Sequence, residues 1–426
     1  MTTVAVFGLG YVGCVTAACL AKDGHPVVGV DVDADKVAEI NAGQAPLREN
    51  GLGELIAEQV AAGHLKATTD TARAVAESSI AMIAVGTPSM DDGSVTTHAL
   101  ETVISSIGQA LRQAPKPYHI VVRSTLLPGL LETQMQDALD AALGPDFPED
   151  VVLCNNPEFL REGSALKDYY NPPYVLVGAA TQAQAQPVLD LYEAVEGKRF
   201  HTDSRTAALV KYACNAFHAV KVTFANEIGA VAKAMGADGH EVMKLVCEDT
   251  KLNVSPAYMR PGFAFGGSCL PKDVRAISRF AEQEALRLNM LSSVLASNES
   301  QLKRALKMVR DTGHKKIGLV GLSFKNGTDD LRESPMVDLV QTLAGAGYSV
   351  KIYDPNVTLG RLRGRNLSFI DRHLPHLAQM LVTEQDEVLE HADVLLLCTD
   401  VADGHDWRAA AGGLVYDLRK DLARPC

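Results

Sequence analysis

Four apolar residues, Val4 to Phe7, run directly into Gly8-Leu9-Gly10-Tyr11-Val12-Gly13, and a helix-forming stretch follows from Tyr11 to Lys22. A strand that turns through glycines into a helix is the opening of a doubly wound α/β domain. Gly8 permits the tight turn, Gly10 lets a pyrophosphate come close, and Gly13 lets the helix pack against the strand. Free amides at the helix start hold the anion, so Tyr11 and Val12 stand among the expected cofactor contacts. Asp31 closes the next apolar strand, 18 residues past Gly13. A carboxylate there suits a ribose 2′-hydroxyl and repels the additional phosphate of NADP, which favours NAD as cofactor. Lys36 could reach the adenosine region.

The alternation continues with apolar strands expected at 79–85, 119–124, 151–155 and 174–177. Strands alternating with helices predict a mostly parallel sheet. Ligands of such sheets bind at the carboxyl ends of the strands. Thr87 and Thr125, in Gly86-Thr87-Pro88 and Ser124-Thr125, are therefore candidate cofactor or substrate contacts, although threonines also end strands for purely local reasons. From Ser204 the strand pattern stops, and residues 204–235 read as one helix capped by Asp203 or Ser204. At 1.5 Å per residue such a helix is about 45 Å long. That is longer than one domain needs, so it is expected to bridge domains and to build a subunit interface. Helices are expected at 239–247, 273–285 and 290–310, and the strand pattern restarts at Lys316. Strands at 317–320, 349–353, 394–398 and 414–416, with a helix at 335–346, predict a second α/β domain on the plan of the first. The fold class is thus α/β: an N-terminal Rossmann-type domain over 1–202, a central helical region with the long helix over 203–311, and a C-terminal Rossmann-like domain over 312–426.

Forty basic against 52 acidic residues leave a net charge of −12, which argues against non-specific nucleic-acid binding. The eight cysteines form no C-x-x-C pair, so no structural zinc and no other metal is expected. No apolar run is long enough to span a membrane, and Met1-Thr2-Thr3 leads straight into the first strand. A reduced cytoplasmic protein is expected.

Cys269 lies in Phe265-Gly266-Gly267-Ser268-Cys269-Leu270-Pro271-Lys272-Asp273. Pro271 suits a first helical turn, which sets Cys269 at or just before a helix N-terminus. The helix dipole and Lys272 would both favour the nucleophilic thiolate, and Asp273 could orient a water or take its proton. A cysteine is equally at home as a small buried hydrophobe. Lys211, Asn215 and His218 share one helical face, with Asn226 further along. By geometry alone that stripe also reads as a solvated face. Glu158 and Glu162, in Asn156-Pro157-Glu158-Phe159-Leu160-Arg161-Glu162, follow a strand end and could be surface carboxylates.

Taken in order, the glycine fingerprint, the run 156–162, Lys211-x-x-x-Asn215 and the run 266–273 resemble the UDP-glucose/GDP-mannose dehydrogenase family over nearly the whole chain. The runs 222–228, 258–265 and 325–335 look closest to the branch that oxidises GDP-mannose at C6. One departure is Ala257, where that branch tends to carry a second aromatic beside Tyr258. The resemblance implies two successive NAD-dependent oxidations of a sugar CH2OH to carboxylate, here GDP-mannose to GDP-mannuronate, a precursor of alginate-type polysaccharides. It implies that Cys269 traps the aldehyde as a thiohemiacetal that becomes a thioester. Lys211 and Asn215 would stabilise the oxyanion. Asp273 and Glu158 would handle water, held also by Thr125. Glu162, Lys211, Asn215, His218, Asn226, Tyr258, Arg260, Phe263, Gly266 and Lys325 align with sugar-nucleotide contacts in the C-terminal and neighbouring segments, and Lys272 and Arg332 with the cofactor boundary. A homodimer or higher homo-oligomer is implied as well. The same reaction on UDP-glucose or a UDP-N-acetylhexosamine stays open, as does, more distantly, a two-electron hydroxyacid dehydrogenase.

Overall fold

The computed structural model describes residues 2–88, 90, 95–145, 147, 150–161, 163–255, 262–267, 270–323, 331–357, 370 and 374–419. The chain divides into two compact units, Met1–His218 and Ala219–Cys426, and the division falls within one long helix.

In the first unit the order is β1 (Val4–Phe7), α1 (Tyr11–Lys22), β2 (Val27–Val30), α2 (Ala34–Asn41), α3 (Leu52–Ala61), β3 (Leu65–Thr68), α4 (Thr71–Glu77) and β4 (Ile80–Ile83). There follow α5 (His98–Gln113), β5 (Tyr118–Val122), α6 (Gln136–Leu143), β6 (Val151–Asn155), α7 (Ala165–Tyr170), β7 (Tyr174–Gly178), α8 (Gln182–Asp190), β8 (Lys198–Thr202) and the start of α9 (Ser204–Ala234). Among the described residues eight strands form one sheet in the order β3-β2-β1-β4-β5-β6-β7-β8. All neighbours are parallel except β6 and β7, which meet antiparallel at Asn155 and Gly178. The strand order reverses between β1 and β4, and this crevice is where doubly wound sheets take ligands.

Period-two alternation builds the core on both faces. Val4, Val6, Ile80, Met82 and Val121 point into a layer with Leu20, Leu52, Ile56 and Tyr169. Ala5, Phe7, Ala81, Ile83, Ile120 and Val122 point the other way, onto Leu100, Ile104, Leu111 and Leu139. The strands that the apolar pattern did not mark, β3 and β8, are the two edges of the sheet. Each carries charge, Lys66 in one and Lys198 and Arg199 in the other, as sheet edges commonly do to discourage further pairing. Asp203 caps α9: its carboxylate accepts from the Thr206 amide at 3.0 Å and the Thr206 hydroxyl at 2.6 Å.

The second unit contains α10 (Gly239–Glu248), α11 (Leu270–Gln283), α12 (Asn289–Asp311), β9 (Lys316–Val320), α13 (Pro335–Gly345), β10 (Ser349–Tyr353), β11 (Leu381–Val382), β12 (Val394–Leu397) and β13 (Leu414–Asp417). Its described strands form a parallel sheet in the order β11-β10-β9-β12-β13. Among the described residues no helix is long and apolar enough to cross a membrane.

The two sheets repeat one hydrogen-bonded turn. In the first, Gly8 takes φ +88°, its N–H donates to Val30 O at 2.8 Å, and the Leu9 N–H donates to Asp31 Oδ2 at 2.7 Å. In the second, Gly321 takes φ +92°, its N–H donates to Tyr353 O at 2.9 Å, and the Leu322 N–H donates to Asp354 Oδ2 at 2.8 Å. The other oxygen accepts from Asp33 N–H at 3.0 Å in one and Asn356 N–H at 2.9 Å in the other. In both, a carboxylate at the end of the second strand fastens the turn that leaves the first. The turns then diverge: α1 starts at Tyr11, close behind Gly8, whereas α13 starts only at Pro335.

Asp354 is 3 % exposed and accepts from the amides of Leu322, Ser323 and Asn356. Asp354→Ala would strand buried donors, each costing about 1–3 kcal/mol. A loss of at least ~2 kcal/mol is expected in chemical denaturation of the C-terminal unit, and a loss below ~0.5 kcal/mol would count against this tie.

Candidate active site

The nucleotide end of the first unit is shaped by its glycines. A Cβ on Gly13 would lie 1.7 Å from Gly8 O, so only glycine lets α1 approach the turn. At Gly10 nothing lies within 4 Å of a would-be Cβ, and no side chain caps α1 there. That open helix start is the cradle a pyrophosphate fits. Asp31, with its side chain 9 % exposed, lies 3.7 Å from Lys36 Nζ while it holds the Leu9 and Asp33 amides. The site thus has the parts NAD needs: an open amide cradle and a fixed carboxylate at the ribose position. At the next strand ends, Thr87 Oγ1 donates to Thr125 O at 3.0 Å and Ser124 Oγ donates to Val85 O at 2.6 Å. Thr87 and Thr125 are therefore brought together at the carboxyl edge of β4 and β5.

Lys211 and Glu158 form an ion pair at this edge. Lys211 Nζ donates to Glu158 O at 2.6 Å and to Glu158 Oε1 at 2.9 Å, with side chains only 11 % and 12 % exposed. Glu158 Oε2 accepts from Leu160 N–H at 2.6 Å, and the Lys211 ammonium also lies over the Phe159 ring. The ammonium on the first turns of α9 thereby meets the loop after β6. Asn215, His218 and Asn226, further along α9, are exposed.

Two groups with no signal in the sequence, Arg123 and Glu49, order this edge. Arg123, buried beside Ser124-Thr125, donates through Nη1 to Asn156 Oδ1 at 2.6 Å and to the Tyr192 hydroxyl at 2.9 Å. Asn156 in turn donates through Nδ2 to Leu176 O at 2.8 Å. Glu49 accepts from the Tyr11 hydroxyl at 2.6 Å and from the amides of Gly163 and Ala165 at 2.7 and 3.1 Å. Each sits in a turn or at a strand end, where hydrophobic periodicity carries no information.

In the second unit α11 begins at Leu270, with Pro271 buried in its first turn and Lys272 Nζ 3.2 Å from Asp273 Oδ1 on an exposed surface. The segment leading to it is pinned. Phe265 N–H donates to Asn298 Oδ1 and Asn298 Nδ2 donates to Phe265 O, both at 2.8 Å. Gly267 N–H donates to Glu333 O at 3.1 Å. A Cβ on Gly266 would stand 2.3 Å from that same oxygen. Glu333, next to Arg332, takes a left-handed φ of +52° and is gripped by Arg275 Nη2 at 2.6 and 2.8 Å. Phe263 packs against the core beneath the second sheet. Glu162, Ala257, Tyr258, Arg260, Cys269 and Lys325 lie outside the described residues. Of the described cysteines, Cys14, Cys19, Cys154 and Cys398 are buried. Burial pushes the thiols of Cys14, Cys19 and Cys154 up to about 12, and that of Cys398 up as well, so these four stay protonated and unreactive near neutral pH.

Comparison with known proteins agrees with this arrangement. Family models of the UDP-glucose/GDP-mannose dehydrogenase family match its NAD binding domain at residues 2–196, its central domain at 205–300 and its UDP binding domain at 318–422. GDP-mannose 6-dehydrogenase from Pseudomonas putida is 45% identical over 92% of this chain and 90% of its own length. UDP-glucose 6-dehydrogenase AglM from Haloferax volcanii is 34% identical over 99% of this chain and 97% of its own. The crystal structure of a ternary complex of GDP-mannose dehydrogenase from Pseudomonas aeruginosa superposes with a TM-score of 0.92 at 42% identity, covering 97% of this chain and 96% of that one. The chain belongs to the UDP-glucose/GDP-mannose dehydrogenase family and is an NAD-dependent sugar-nucleotide dehydrogenase.

Proposed function

We propose that the substrate is GDP-mannose and that the chain oxidises its C6 hydroxymethyl group to the carboxylate of GDP-mannuronate. The observation that carries this reading is the gradient of likeness. Identity is 45% to a GDP-mannose 6-dehydrogenase against 34% to a UDP-glucose 6-dehydrogenase. The TM-score likewise falls from 0.92 for a GDP-mannose dehydrogenase to 0.58 for a UDP-glucose dehydrogenase. The domain reading remains 1–202 for NAD, 203–311 for the central helices and 312–426 for the sugar nucleotide.

Bound NAD supplies the two-electron acceptor at each oxidation, held by the Gly8–Gly13 turn, Asp31 and Lys36 and by Thr87, Thr125, Lys272 and Arg332. Lys211 and Asn215 stabilise negative charge on the C6 oxygen as its proton leaves. The Cys269 thiolate adds to the aldehyde carbon, so the half-oxidised sugar stays covalently attached as a thiohemiacetal. The second oxidation turns that adduct into a thioester. Asp273 and Glu158, with Thr125, position a water and take its proton as it cleaves the C–S bond, releasing carboxylate and thiol. The Lys211–Glu158 pair suits this division of labour, because the ammonium holds its carboxylate partner at 2.9 Å and fixes its position. Glu162, His218, Asn226, Tyr258, Arg260, Phe263, Gly266 and Lys325 are assigned to the sugar nucleotide. A homodimer is the proposed assembly, because α10 buries none of its residues and Val222, Met235 and Leu245 are exposed. The setting is cytoplasmic polysaccharide biosynthesis.

Two NADH per GDP-mannose consumed are expected in an endpoint assay, with UDP-glucose run beside it. Turnover of UDP-glucose alone would move the substrate assignment, and one NADH per product would remove the four-electron reaction. Cys269→Ser should abolish acid release while the NADH Kd stays within about two-fold, as read by nucleotide fluorescence titration. Full activity in that variant would remove the covalent step. Lys211→Met should destabilise the N-terminal unit by about 3 kcal/mol in chemical denaturation, since it strands the Glu158 charge. The double variant Lys211→Met/Glu158→Leu should recover much of that loss, and strictly additive losses would contradict the pairing.

A further inference from the structure

Glu49 lies in the turn between α2 and α3, far in sequence from both segments that it holds, the start of α1 and the loop after β6. Its Oε2 accepts from the Tyr11 hydroxyl at 2.6 Å and from the Gly163 amide at 2.7 Å, and its Oε1 accepts from the Ala165 amide at 3.1 Å. Tyr11 is the first residue of α1, next to the open cradle at Gly10. Gly163 and Ala165 end the loop that begins at Asn156 and carries Glu158, the partner of Lys211. The loop is fastened again beside the same carboxylate. Asn50 Nδ2 donates to Gly163 O at 2.9 Å, and the Tyr11 hydroxyl lies 3.1 Å from Arg161 O. The far side of the loop is closed by Arg161, which grips Asp168 through Nε at 3.0 Å and Nη2 at 2.7 Å.

A carboxylate with three donors on two oxygens prefers one geometry, and here one donor comes from the start of α1 and two from the end of the 156–165 loop. Desolvation pushes the Glu49 carboxyl up, but the Tyr11 hydroxyl and the Gly163 and Ala165 amides outweigh it and hold it below the ordinary carboxylate range. Glu49 is therefore an anion at neutral pH, and charge-assisted bonds of this kind are stiffer than neutral ones. Any shift of Tyr11 when a pyrophosphate settles on the α1 N-terminus must be met by the 156–165 loop or by loss of one of these bonds.

We propose that Glu49 is a positioning residue that couples the NAD cradle to the 156–165 loop, so that cofactor and sugar nucleotide bind with linked free energies. The linkage is reciprocal, as any coupling of two equilibria must be. It rests on the reading of GDP-mannose as substrate and of Glu158 as part of its site.

The test measures NADH binding with and without saturating GDP-mannose. The two cannot react, because both the cofactor and the sugar are in their reduced forms. In the unaltered protein GDP-mannose should change the NADH Kd by about five-fold or more, and in Glu49→Gln that ratio should collapse toward one. Glu49→Gln should also raise KM for both substrates while the thermal midpoint stays near that of the unaltered protein. Should Glu49→Gln fail to fold, Tyr11→Phe removes the bridging hydroxyl and leaves the amide bonds of Glu49 in place; the same collapse is expected. An unaltered ratio in the folded variant overturns the proposal, as does a ratio of one in the unaltered protein. A merely structural role would lower the midpoint and leave the ratio intact. Failure of the substrate reading looks different: the unaltered protein would neither bind nor oxidise GDP-mannose, and the titration would then be run with UDP-glucose.

Discussion

The contact between the Lys211 ammonium and Glu158 is the constraint on which the candidate site edge of the first unit depends. It joins the early turns of α9 to the loop that follows β6, with both charges almost wholly out of water. A buried ion pair is weak evidence for stability, since an apolar pair of equal volume can serve as well. The geometry it imposes is what matters here: the ammonium is held beside a carboxylate and a carbonyl at one fixed place on the edge. The backbone around it is arranged to hold it still. Leu160 N–H occupies the second carboxylate oxygen, and Arg123 and Tyr192 converge on Asn156 two residues upstream of Glu158.

The same economy of carboxylates governs the two sheets. Asp31 and Asp354 stand at matching strand ends and make matching bonds to the turn after the first strand. At Asp31 the turn runs straight into α1, so the fastened loop presents amides to a ligand. At Asp354 the carboxylate is more deeply buried, and among the described residues the next helix is α13 at Pro335. One local solution therefore fastens the turn after the first strand in both units, and in the first it shapes a dinucleotide cradle. An aspartate in that position carries two meanings, and only the chain that follows the glycine tells them apart.

Central strands of both sheets were legible because burial on two faces demands apolar runs; β1, β4, β5 and β12 follow that rule. The edges of the first sheet were not, because β3 and β8 carry lysines and an arginine that erase the pattern, whereas the apolar edge strand β13 of the second sheet was legible. The direction of β7 was hidden as well, since alternation records which face a residue takes and not which way its strand runs. Among candidate site residues, the glycine turn and Asp31 stood out by spacing, whereas the Lys211 stripe read equally as a solvated face, and Asn215, His218 and Asn226 are indeed exposed. Resemblance alone gave Glu158 its role, and geometry then showed the lysine beside it. Glu49 and Arg123 left no trace, because their partners are distant in sequence and their neighbours follow no period.

Sequence by itself determined the α/β plan, the nucleotide turn and the family to which the chain belongs, because each of these rests on patterns of a few adjacent residues: apolar periods, glycines and short motifs. Tertiary structure decided which carboxylates face cations and which face amides. Asp31 and Asp354 became fasteners of their own turns, Glu158 became the partner of Lys211, and Glu49 became the bridge between Tyr11 and the loop after β6. The physical reason is that a carboxylate is defined by its donors, and those donors are assembled by folding from segments that the sequence keeps far apart.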